Sequence, residues 1–216
     1  EMISGFLSES IIGRARENGI LDISVHNLRD WATDKHHITD DRPFGGGAGM
    51  VLKPEPLYAA IEELRTEKST VILMAPDGVT LTSSIGKKLA AAAHLIFISG
   101  HYEGVDERIR EDLVDLELSI GDYILTNGTL PAAVMIDCIC RFVPDVLGDE
   151  KSLAQDCFNK NLLSFPQYTR PADYRGKKVP DVLLTGNHAE IEQWREEQRI
   201  ERTKKHRPDL ISKKNI

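Results

Sequence analysis

The sequence is poor in cysteine and in aromatic residues, and it has no long apolar run. Each shortage removes a class of protein. Three cysteines, Cys138, Cys140 and Cys157, cannot close a disulfide framework, and they are not spaced for zinc. A reducing, cytoplasmic compartment is the expectation. The longest apolar stretch, Leu130 to Ile136, falls far short of the roughly 20 residues a membrane helix needs. Glu1 stands where a start codon would give Met and no charged-then-apolar leader follows it. The expectation is that the first residues of the protein precede this sequence. What is present is ordinary for a folded chain: 216 residues, 41% hydrophobic and 28% charged, enough for one large domain or two small ones. Basic charge is also in deficit, with a net balance of −7 that by itself argues against a nucleic-acid partner. The deficit is uneven. Residues 1–150 carry 13 Lys and Arg against 25 Asp and Glu, whereas residues 151–216 carry 14 against 9. Such asymmetry suggests two units, the second able to meet a polyanion, and a solvated charged helix is the plain alternative.

Residues 1–147 alternate helical and strand-like patterns. The pattern predicts helices over Ser8–Glu17, from Pro54 to about Lys68, from Ser83 or Ser84 to Ala93, and over Asp106–Val114. A last, almost wholly apolar one around Pro131 ends at Pro144. Strands are predicted at Leu21–Val25, Val71–Ala75, Leu95–Ile98, Leu116–Ile120 and Tyr123–Thr126. Short apolar strands between helices point to an α/β unit with a buried, mostly parallel sheet. Residues 148–160 are polar and read as a linker. Residues 187–207 read as a charged helix around Ile191, Trp194 and Ile200.

Nucleotide-binding motifs are missing: no G-x-G-x-x-G follows a strand, and no G-x-x-x-x-G-K-[ST] occurs. The cluster Gly45-Gly46-Gly47-Ala48-Gly49 can present backbone amides to an anion or admit another chain closely, or be a plain surface loop. Two further loops, 100–108 and 119–131, follow buried strands, where α/β folds place ligands. Asp106 and Glu107 suit a helix start, and Glu103 less so. Arg141 follows Asp137 by four residues, the spacing of a helical ion pair. Cys138 and Cys140 read as core residues.

The ordered blocks D-D-R-P-F-G-G-G-A-G-M (40–50), G-H-Y-E-G-V-D-E-R (100–108), S-I-G-D-Y-I-L (119–125), R-F-V-P-D-V-L-G (141–148), F-P-Q-Y-T-R-P (165–171), V-L-L-T-G-N-H-A-E-I (182–191) and H-R-P-D-L (206–210) resemble the bacterial tRNA (guanine-N1-)-methyltransferases across essentially the whole chain. The resemblance implies a trefoil-knotted α/β methyltransferase domain of the SPOUT class over residues 1–147. A linker over 148–160 and a small helical tRNA-binding domain over 161–216, stopping early, would follow. It implies a homodimer with active sites between subunits, no membrane partner, and methyl transfer from S-adenosylmethionine to N1 of guanosine 37, next to the anticodon. Magnesium is implied as an aid, with no residues assigned to it. Carried onto this sequence, Pro76, Gly100, Tyr102, Glu103, Gly104, Ile120, Gly121, Asp122, Tyr123, Ile124, Leu125, Gly128 and Pro131 match the cofactor site. Asp156 matches the general base and Arg141 the residue that steadies the guanine. Asp40, Arg42 and Gly49 become candidate contacts to the guanosines, and Arg195, Arg199, Arg202, Lys204 and Lys205 candidate contacts to tRNA phosphates. A related knotted ribose 2′-O-methyltransferase and an inactive RNA-binding relative are the rival readings. The chain departs from the family pattern at Ala48, His101, Asn127, Thr129 and Ser164, and it lacks the short strand that precedes the segment matching Glu1.

Overall fold

A computed structural model describes residues 2–148, 153 and 155–212. The chain divides into two compact units, Glu1–Gly148 and Asp149–Ile216.

The first unit is organised by β3 (Ser69–Thr80), which lies between β4 (His94–Ile98) and β5 (Leu116–Ser119) in a parallel three-stranded sheet. The apolar run at 71–75 lies inside β3 and is buried. Side chains alternate across a strand. Val71, Leu73 and Ala75 therefore join one cluster with Leu57, Ile61, Ile98 and Ile109. Ile72 and Met74 join another with Leu89, Leu118, Met135 and Ile139. Helices α3 (Pro54–Leu64) and α5 (Glu107–Leu113) supply the first cluster. Helices α4 (Ser83–Leu89) and α6 (Thr129–Cys140) supply the second. A parallel sheet covered on both faces explains the unbroken apolar runs at 71–75 in β3 and 95–98 in β4.

Local chemistry sets several boundaries. Before the sheet lie α1 (Ser4–Ser8) and α2 (Ser10–Glu17), where one helix from Ser8 was expected. The break at Glu9 lets the two pack so closely that a Cβ on Gly13 would stand 2.4 Å from the Ser8 carbonyl oxygen. Helix α2 stops at Asn18-Gly19, as expected, with Gly19 at φ +70°. Helix α3 ends at Leu64 rather than near Lys68. There Arg65 becomes extended, and the Ser69 and Thr66 hydroxyls accept the Thr66 and Lys68 amides instead. Helix α4 ends at Leu89 rather than Ala93, and α6 ends at Cys140 rather than Pro144.

Two predicted strands do not form. Tyr123–Thr126 is loop. Leu21–Val25 has no regular secondary structure and no strand partner among the described residues, and an apolar cleft of about 800 Å³ is lined both by it and by β4. A small hairpin of β1 (Asp40–Asp41) and β2 (Val51–Leu52) brackets the glycine-rich loop.

The second unit holds an antiparallel hairpin, β6 (Asp173–Tyr174) with β7 (Lys177–Lys178), then α7 (His188–His206) and α8 (Asp209–Ser212). Of the apolar residues around which this charged helix was expected, Ile200 is exposed, whereas Arg199 and Thr203 are buried. None of the described helices is long and apolar enough to cross a membrane.

Candidate active site

The loops that leave β4 and β5 close on one another beyond the strand ends. Gly128 donates its amide to the Gly100 carbonyl at 2.8 Å, and His101 bridges to Asn127 in antiparallel fashion. The approach is tight enough to demand glycine: a Cβ on Gly128 would stand 2.9 Å from both the Gly100 nitrogen and the Ser99 Cα. Two of the departures from the family pattern help here. The Asn127 side chain accepts the Thr129 amide at 2.9 Å, covering an open donor at the start of α6, and Thr129 Oγ1 meets Ser99 Oγ at 3.1 Å. The loops are thus stitched together by side chains as well as by backbone.

Between these loops lies a cavity of about 150 Å³. Pro76, Gly100, Tyr102, Glu103, Gly104, Ile120, Gly121, Tyr123, Ile124, Leu125, Gly128 and Pro131 all line it, and Asp122 does not. Met74, Ala75, His101, Leu118, Ser119, Thr126 and Asn127, not among the expected cofactor residues, also line it. Ser119 had a legible signal, a small hydroxyl ending a buried strand before glycine. Its Oγ donates to the Gly121 carbonyl at 3.1 Å and lies 3.2 Å from the Gly121 amide, shaping the turn. Gly121 itself adopts φ +148°, and a Cβ there would meet the Tyr123 ring at 2.6 Å.

The walls are braced from behind. Arg110 of α5 donates from Nη2 to Asp77 at 2.7 Å and from Nε to Glu117 at 2.9 Å. It thereby ties the residue after Pro76 to the strand that leads into Ser119. The guanidinium holds the Asp77 carboxyl below the usual carboxylate range. Likewise Arg108 grips Asp106 through two bonds of 2.8 Å, and the Asp106 carboxyl is lowered by that partner. Asp106 also caps α5, as its place in the sequence suggested.

The glycine-rich loop and its hairpin pack against two residues of the cleft wall, Glu103 and Gly104. Glu103 donates its amide to the Met50 carbonyl at 3.0 Å, and Leu52 donates to Gly104 at 2.9 Å. Asp40 is half-buried in β1, Arg42 is exposed, and Gly49 sits at φ +88° against Glu103.

Arg141 ends α6 in the first unit, half-buried. Asp156 belongs to the second unit, also half-buried, at the start of a loop held by α7; residues 149–152 and 154 of the expected linker lie outside the described residues. Of the expected phosphate contacts on α7, Arg202, Lys204 and Lys205 are exposed. Arg199 is not available for that role. It is 7% exposed and donates to the Asn159 carbonyl at 3.0 Å. Arg195 lies over the Phe165 ring at 4.7 Å, with its Nε buried. Helical register, invisible to a count of charges, turns these two inward. Among the described residues, no three His, Cys, Asp or Glu side chains converge as a metal site would need.

Residues 1–213 match the family described as tRNA (Guanine-1)-methyltransferase TrmD. A Staphylococcus carnosus protein named tRNA (guanine-N(1)-)-methyltransferase is 53% identical over 214 residues, covering 99% of this chain and 87% of its own length. A Brevibacillus brevis protein of the same name is 54% identical over 214 residues, 99% of this chain and 88% of the relative. One from Staphylococcus epidermidis is 53% identical over 212 residues, 98% and 86% of the two chains. Family and full-length identity agree with a strand-end cleft in an α/β unit. The chain belongs to the tRNA (guanine-1)-methyltransferase TrmD family, enzymes that methylate guanine at N1 in tRNA.

Proposed function

We propose that the cleft between loops 99–104 and 119–128 holds S-adenosylmethionine, and that the methyl group goes to guanosine 37, beside the anticodon. The interlocked loops carry this reading, and we take them to be the crossing of a trefoil knot of the SPOUT class. Glycine at 100, 104, 121 and 128 keeps the loops free of Cβ atoms, so that a flat adenine can come close to their backbone. The enclosed 150 Å³ is below the roughly 300 Å³ of a usual small-molecule pocket, so the loops suit the adenine end, with the rest of the cofactor lying outside them. Bound there, the cofactor supplies a methyl group made electrophilic by its sulfonium.

Guanine N1 bears a proton and a delocalised lone pair, which makes it a poor nucleophile. Asp156 takes the N1 proton as the bond to carbon forms. Charge then moves toward O6, where the Arg141 guanidinium stabilises it. The base leaves its stack to reach the methyl group. Asp40, Arg42 and Gly49 close over the guanosines, and Arg202, Lys204 and Lys205 meet phosphates.

A homodimer in the cytoplasm completes the proposal. Ile124, Leu130 and Val134 are 78%, 55% and 47% exposed, and such side chains call for cover by a second copy. The test is transfer of labelled methyl from S-adenosylmethionine to unmodified tRNA with G at positions 36 and 37. Wild type should yield 1-methylguanosine at 37, and Asp156→Ala should lose about 100-fold or more. Full activity in Asp156→Ala would move the base elsewhere.

A further inference from the structure

The stretch that begins at Asp156 is shaped from α7. Its backbone turns sharply, with Phe158, Lys160 and Asn161 in the left-handed region at φ 72°, 54° and 59°. None is glycine, so each costs on the order of 1 kcal/mol and persists only where its surroundings hold it. Within the loop, Phe158 donates to the Leu162 carbonyl at 2.7 Å, and the Ser164 amide meets Cys157 Sγ at 3.3 Å.

Two residues one helical turn apart on α7 hold the loop backbone from outside, and Arg207 lies 5.8 Å over the Phe158 ring. Arg199 Nη2 donates to the Asn159 carbonyl at 3.0 Å, and the Leu163 amide donates to Thr203 Oγ1 at 2.8 Å. The Thr203 hydroxyl spends its one proton on the Arg199 carbonyl at 2.6 Å, which turns a lone pair toward the loop. Thr203 is fully buried, and Arg199 is 7% exposed with an Nε that has no hydrogen-bond partner among the described residues. Burying a guanidinium against one carbonyl is costly. A residue meant only to bind phosphate would remain in water.

We infer that Arg199 and Thr203 are positioning residues that fix the loop behind Asp156, so that its carboxylate reaches guanine N1 in one orientation. The inference rests on the proposed reading of Asp156 as the base. On the same turns Arg202, Lys204 and Lys205 face solvent, so one rigid helix both meets the tRNA backbone and sets the base.

Single-turnover methyl transfer at saturating cofactor and tRNA tests this in the full chain, with cofactor and tRNA affinities measured alongside. Thr203→Val keeps the shape of the side chain and removes both hydrogen bonds. It should slow the step about 10- to 100-fold, the effect of a misplaced catalytic group, with affinities unchanged within about twofold. Thr203→Ser should restore most of the rate, and Arg199→Lys, which keeps the charge without the fork, should slow it too. In an Asp156→Ala background, Thr203→Val should cost nothing more. A wild-type rate in both Thr203→Val and Arg199→Lys, with Asp156→Ala impaired, overturns the positioning role and leaves the base in place. So does an equal loss on the Asp156→Ala background. Full activity in Asp156→Ala overturns the base reading and the inference with it.

Discussion

A Cβ on Gly49 would stand 2.7 Å from both Cγ and Oε1 of Glu103. The last glycine of the loop between β1 and β2 is therefore packed on an acid of the proposed cofactor loop, and Met50 accepts the Glu103 amide just beside it. The glycine-rich segment thus backs a residue of the cleft wall, Glu103, without lining the cleft itself.

Gly49→Ala should therefore lose both packing and backbone freedom, since alanine at φ +88° is strained by about 1 kcal/mol. We expect a melting temperature lower by a few degrees and methyl transfer reduced about 10-fold or more, read by thermal melting and by labelled-methyl assay. Wild-type transfer in the variant would separate this loop from the active site.

Gly128→Ala differs in kind. Its φ of −79° suits any residue, so only space is at issue. The methyl would press on backbone atoms of Ser99 and Gly100, which cannot yield as a side-chain tip would. Cofactor affinity measured by calorimetry should fall about 10-fold or more. Unaltered affinity would take the loop crossing out of the cofactor site.

Arg110→Met should make acid unfolding less steep. Arg110 holds the Asp77 carboxyl low, so the stabilisation is complete above the unfolded value of about 3.9 and is lost as pH falls through the lower folded value. The variant should be less stable at neutral pH and should lose less on acidification below about pH 4. Parallel stability curves across that interval would count against the brace.

Cys140 should resist alkylation in the native protein. Burial pushes its thiol up to about 11, which leaves almost no thiolate at pH 8. Peptide mapping by mass spectrometry should find it modified quickly only in denaturant. Equal rates in native and unfolded protein would contradict its burial.

Much of the site was legible because its signals are local. Glycines and small polar residues at the ends of apolar runs mark loops that leave buried strands, and loops 100–104 and 120–128 do line one cleft. The long-range contacts were less legible. Thr126 and Asn127 join the wall because distant segments cross beside them, and no spacing records that crossing. Asp122, in the middle of a matching block, lies off the wall because its neighbours turn at Gly121.

The sequence alone determined the elements whose causes lie within a few residues. Alternate positions along 71–75 enter opposite cores, Asp106 starts α5, and Gly19 follows the end of α2. Tertiary structure decided what depends on a remote partner. Leu21–Val25 has the pattern of a strand, yet no strand pairs with it among the described residues, and its hydrogen bonds go to Ala15 and Arg16 at the end of α2. Arg199 has the charge of a surface residue, yet its helix face meets the loop after Asp156. Backbone propensity is set by a residue and its chain neighbours. Pairing and burial are set by whichever segment the fold brings against it.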